Sequence, residues 1–139
     1  MTHANRMLPA TPDLFAPDGS EVRLLLTRPG GSMAHFRLHP GDVSKAVVHR
    51  TVEELWFILD GAGEMWRDSG TEVTVTPLTP GLCLSIPVGT RFQFRCLGDQ
   101  ALAAVAVTMP PWPGEGEAVF VEGPWSPTFT PAPPVTPIL

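Results

Sequence analysis

Lysine is nearly absent from this chain: Lys45 is the only one, and every other basic side chain is arginine. The net charge of -5 argues against nucleic acid as a partner, because phosphate binding needs a basic face. Charged residues of either sign make up only 17%, while the 43% apolar fraction is ordinary, so the chain reads as globular rather than disordered. Two cysteines, Cys83 and Cys96, are too few for a disulfide framework. Both are expected as small buried residues with no disulfide between them. No apolar run approaches the roughly 20 residues that span a bilayer, and no apolar stretch follows a basic start in the first thirty residues. A cytoplasmic, non-membrane protein is the expectation. Long helices are excluded as well, because the 17 prolines and 13 glycines interrupt the chain every ten residues or so. At 139 residues it fits one domain with one core.

What is present between those breaks is strand-like. Short runs such as "EVRLLLT", "ELWFILD", "TEVTVTP" and "ALAAVAVTM" are rich in Val, Leu, Ile, Phe and Thr. In "RFQFRC", Phe92, Phe94 and Cys96 alternate with Arg91, Gln93 and Arg95, the period-two pattern of a half-buried strand. This parity puts Cys96 near the inner wall. "DGAG" at Asp60–Gly63 supplies glycine to a hairpin, and Pro40-Gly41 and Pro80-Gly81 suit type II turns. Many short strands with turn signals between them predict an all-β sandwich or barrel.

The two ends differ from this middle. Residues 1–20 form a polar, proline-containing N-terminal arm, and residues 110–139 a proline-rich C-terminal arm carrying Trp112 and Trp125. Proline cannot donate to a strand ladder, so extended arms are expected, flanking a barrel over residues 21–109. Exposed tryptophans seldom lie free in water, so the C-terminal arm should pack on the barrel or on a second subunit.

The middle resembles the cupin superfamily of jelly-roll β-barrels. Its first motif has two histidines one residue apart, then a glutamate, then a glycine after six more residues. Here Glu54, "LWFILD" and Gly61 match the second half, and His49 matches the second histidine; the first position holds Val47. The second motif appears in "GLCLSIPVGTRF", with Gly81, Pro87 and Gly89 in register, but its histidine position holds Phe92. The resemblance implies a cupin-type jelly roll with a small-molecule site in the barrel, and a homodimer paired through sheet edges and terminal arms. It also implies a divalent transition metal (Mn, Fe, Ni or Zn), for which only His49 and Glu54 remain as ligands.

Such ions take imidazole and carboxylate ligands that project inward from neighbouring strands. Three protein ligands are the usual minimum, and a third would have to come from His35, His39 or Gln93. Strand alternation points each of these three outward. His49 and Glu54 therefore have three readings: a weak metal site, a buried hydrogen-bonded pair, or a metal-free acid–base pair whose carboxyl titrates high through desolvation. Trp56 shares parity with Glu54, so Trp56, Phe92 and Phe94 are the expected substrate-binding walls for a small organic molecule, or else plain core residues. The reading is a small-molecule-binding cupin and an enzyme of unspecified reaction; the alternative is a non-enzymatic, metal-free binding or dimeric structural cupin.

Overall fold

A computed structural model describes residues 2–129. Eleven strands run in chain order: β1 (Leu14–Phe15), β2 (Glu21–Arg28), β3 (Gly31–Leu38), β4 (Val47–His49), β5 (Glu53–Asp60), β6 (Ala62–Asp68), β7 (Val73–Leu78), β8 (Cys83–Ile86), β9 (Arg91–Leu97), β10 (Leu102–Met109) and β11 (Ala118–Phe120). There is no helix among the described residues, and so none long and apolar enough to cross a membrane. The strands form a six-stranded sheet in the order β1-β2-β3-β10-β5-β8 and a five-stranded sheet in the order β11-β4-β9-β6-β7. Every strand pair is antiparallel. This is the all-β jelly roll that the turn spacing and the motifs predict.

Alternation decides what lies between the sheets. In β9, Phe92, Phe94 and Cys96 face the core and join Ile58, Met65, Leu78 and Ile86 in one buried cluster. In β10 the inward residues are small: Ala104 pairs with Ile58 and Ala106 with Trp56. Alanine beside a large side chain fills less of the barrel, so space is left next to Trp56. At the β5–β6 turn Gly61 has a φ of 83°, and a Cβ there would collide with the Ala101 carbonyl, so only glycine suits it.

The described parts of both arms contribute to the sheets. β1 pairs with β2, and β11 pairs with β4 with Ala118 opposite His49. Further on, Trp125 stacks on the Arg95 guanidinium at 4.2 Å and exchanges hydrogen bonds with Gln93. The N-terminal arm passes the outer face of β2, where Arg23 donates to the carbonyls of Pro9 and Ala10. The proline-rich end from residue 130 lies outside the described residues.

One departure from simple alternation concerns two polar side chains. His35 and Gln93 do face away from the core, yet both are buried, at 3% and 0% exposed. Gln93 is satisfied there by the carbonyls of Ser44 and Trp125, each 2.8 Å from its amide nitrogen. A second departure concerns the thiols. Both are free, and Cys96 is buried as its parity requires, but Cys83 is exposed rather than buried. It sits across from Phe57 on the outer face, a position its small size fills without burial.

Candidate functional site

His49 ends β4 and Glu54 is the second residue of β5, with a turn over residues 50–52 between them. The motif suggests neighbouring strands, but β4 and β5 belong to different sheets. The turn carries the chain from one sheet to the other, so the two side chains meet face to face across the barrel. Glu117 fixes this turn. Its carboxylate accepts from the Thr51 and Val52 amides at 2.6 and 2.9 Å and from the Thr51 hydroxyl at 2.6 Å. Burial alone would raise the Glu117 pKa, but those bonds and the nearby His49 outweigh it and lower it.

His49 Nδ1 lies 3.2 Å from Glu54 Oε1, with His49 5% and Glu54 4% exposed. That distance would admit an ion pair, yet the angles do not make a hydrogen bond, and Nδ1 has no partner. Burial also drives both groups to their neutral forms. It pushes Glu54 up to about 8, with the Trp56 hydrogen bond opposing and the charge of Asp18 adding. It pushes His49 down to about 4 against the pull of Glu117. We therefore read the pair as carboxylic acid beside bare imidazole, not as a salt bridge.

The pair lies in the wall of a cavity of about 310 Å³ between the sheets. Trp56 and Phe92 line it with His49 and Glu54, and Phe36 stacks on Trp56 at 5.3 Å with the rings 6° apart. Phe94 does not line it; it packs edge-on to Trp56 from the core side, at 5.0 Å. The arms add lining residues that carry no motif, among them one acid and one tryptophan. Asp18 enters from the N-terminal segment, and Trp112 from the C-terminal one, its ring 4.8 Å from that of His49. Apolar residues dominate the rest, and among the described residues neither Arg nor Lys is present in the wall.

A family model for the cupin domain matches residues 34–108, more than half of the chain. The chain belongs to the cupin family. No curated protein matches it in sequence. Among solved structures it is similar to the capsular polysaccharide assembling protein CapF of Staphylococcus aureus, at 18% identity and a TM-score of 0.66, covering 75% of this chain and 32% of that one. This cupin thus spans about a third of CapF. It is also similar to a Klebsiella pneumoniae protein with a double-stranded beta-helix domain, at 19% identity and TM-score 0.63, covering 78% and 89% of the two chains. KdgF from Halomonas aligns at 16% identity and TM-score 0.58, over 68% and 82%. At these identities the likeness shows the shared fold.

Many cupins hold a metal, and the residues here can be tested against one. The two vacant motif positions are filled by hydrocarbon: Val47 and Phe92 are buried, and the Phe92 ring stands edge-on to His49 at 5.2 Å. His35 and Gln93 face away from the core, Gln93 bonded to the C-terminal arm, and exposed His39 pairs with Glu21. Among the described residues no three His, Cys, Asp or Glu side chains form a group that could hold a metal ion. Asp18 also lines the cavity but forms no such group with His49 and Glu54, and one imidazole with one neighbouring carboxyl does not fit a resident first-row ion.

Proposed function

We propose that this cupin binds a small organic molecule inside its barrel and acts on it with His49 and Glu54 as an acid–base pair. One observation carries the reading. A carboxyl that keeps its proton to about pH 8 stands 3.2 Å from an imidazole that loses its proton above about 4, in one apolar cavity. Two titratable groups whose environments push their pKa values apart in this way are a donor and an acceptor in place at neutral pH. Glu54 gives a proton to a developing anion on the ligand, and His49 takes one from an adjacent position. The aromatic walls supply binding and exclude water.

The test is a small-molecule library screened by tryptophan fluorescence, since Trp56 and Trp112 both line the cavity. Hits are then measured on His49→Ala and Glu54→Gln. Affinity or turnover should change in both variants. Unchanged affinity in both removes the pair from the site. Changed affinity without turnover of any hit leaves a binding module instead of an enzyme.

We also propose that the chain forms a homodimer. Support comes from the outer face of the larger sheet. Leu55 and Phe57 are each 47% exposed there, and Leu55 lies in register with Val107 and through it with Met33. Contiguous exposed apolar rows of this kind mark interaction surfaces, and a two-fold axis would cover each with its copy. Phe57→Lys should turn a sedimenting dimer into a monomer. A wild type that sediments as a monomer at micromolar concentration removes the proposal.

A further inference from the structure

Among the described residues two carboxyls line this cavity, and no cationic side chain does. Asp18 is 7% exposed, and both hydrogen bonds it accepts from Ser20, at 3.0 and 2.7 Å, go to Oδ1. Oδ2 takes no part in them. Burial raises the Asp18 pKa against these bonds and against Lys45, and the charge of Asp18 pushes that of Glu54 higher. The single lysine does not neutralise the pair directly, because its ammonium lies over the Phe120 ring at 5.0 Å. Arg23 is turned outward to the N-terminal arm. Burial disfavours the ionised form of both acids, and a cation bound beside them favours it.

The rest of the wall suits such a visitor. Four rings, of Phe36, Trp56, Phe92 and Trp112, line the space, and aromatic rings attract cations at their faces. His49 is neutral and its Nδ1 is unpartnered, so the imidazole accepts a hydrogen bond and does not repel positive charge.

We infer that the molecule this cavity takes is an organic ammonium ion with an apolar body, its charge held by Asp18 and Glu54 and its body among the four rings. The inference rests on the reading of the cavity as the binding site. It has a further consequence: an empty cavity holds Glu54 as the neutral acid, so an arriving ammonium displaces its proton to solvent, and with such a ligand Glu54 anchors the charge in place of donating a proton while His49 remains the base. An anionic ligand finds no cation in the wall to meet it and is rejected.

Three probes of one shape separate charge from fit: phenethylamine, phenylacetamide and phenylacetate. Titration calorimetry at pH 7 in phosphate and in Tris gives affinity and proton release together. The amine should bind roughly tenfold or more tighter than the amide, with the carboxylate weakest. Amine binding should release up to about one proton in the wild type and none in Glu54→Gln. Asp18→Asn keeps the Oδ1 acceptor for Ser20 and should weaken the amine while leaving the amide unchanged; melting curves of both variants establish that they fold. An amide as tight as the amine, or amine binding without Glu54-dependent proton release, overturns the inference. Should the amide win and still weaken in His49→Ala, the binding reading stands and the charge inference falls. If none of the three binds, both fall.

Discussion

Trp56 holds Glu54 in place: its indole N–H donates to Oε2 at 2.5 Å, two residues along the same strand, while Oε1 faces His49. Residues two apart share a strand face, so one stretch of β5 supplies the acid and the group that orients it. The bond favours the ionised carboxyl, yet burial still wins, because one hydrogen bond does not replace a hydration shell.

The pH dependence of stability follows. Glu54 has a folded pKa of about 8 against an ordinary value of 4.5, so the folded state holds the extra proton between these limits. Its contribution falls as pH rises through that window. His49 works oppositely, since its folded value of about 4 lies below the ordinary 6.5, and stability rises with pH between them. Above 6.5 the Glu54 effect is no longer offset by His49. Wild-type stability should fall between pH 6.5 and 8, by at most about 1.4 kcal/mol per pH unit from this one group. Asp18 is shifted in the same direction, so the difference from Glu54→Gln is what isolates Glu54. Urea titrations at the two pH values check this, and parallel behaviour of wild type and variant would contradict the assignment.

Metal addition should do little. A ligand at 100 times its Kd stabilises a fold by about 2.7 kcal/mol, so even a micromolar site shows in a melting curve. Excess Mn(II) or Zn(II) should leave the wild-type melting temperature where it is. A rise that disappears in His49→Ala would mean that solvent or a ligand outside the described residues completes the coordination, and the acid–base reading would yield to a metal site.

Where the sequence is informative, it is so through local rules. Phe92, Phe94 and Cys96 alternate in one strand, and alternation settles their direction whatever the strand pairs with. The outward direction of His35 and Gln93 is legible for the same reason. The burial of Gln93 is not, because it depends on Ser44 and Trp125, which are far away in sequence. Likewise, no local pattern says that the turn after His49 changes sheets, so the facing geometry of His49 and Glu54 emerges only from topology. Asp18 and Trp112 are the clearest losses. Each sits in a proline-flanked arm with no periodicity, and only the folded arms bring them to the cavity.

The thiols should separate kinetically. Cys83 is exposed, whereas burial raises the pKa of Cys96 and hides its sulfur. Without reductant, the folded protein should show one fast thiol and one slow one, and the unfolded protein two. Cys83→Ser should remove the fast phase alone. A protein with no free thiol after unfolding would contradict the free cysteines.

Glu117 is the least obvious support of the site, and the one most exposed to test. Its carboxylate takes two amides and a hydroxyl from the turn, and its own carbonyl accepts the Arg50 amide at 3.0 Å. Those contacts tie the C-terminal segment, with Trp112 and β11, to the crossing between His49 and Glu54. Glu117→Ala strands the Thr51 and Val52 amides and should cost about 1–3 kcal/mol. Glu117→Gln keeps one acceptor oxygen but turns an amide donor toward those N–H groups, so it should also destabilise, by less. The carboxylate has a lowered pKa, so its contribution is present above pH 4.5 and is lost as pH falls through the folded value. At pH 7 the charge of Glu117 raises the His49 pKa, and either substitution should lower it further. Denaturation at pH 7 and a histidine NMR titration read the two effects separately. Lost stability with an unmoved His49 would confine Glu117 to the turn, and unchanged stability would refute the clamp.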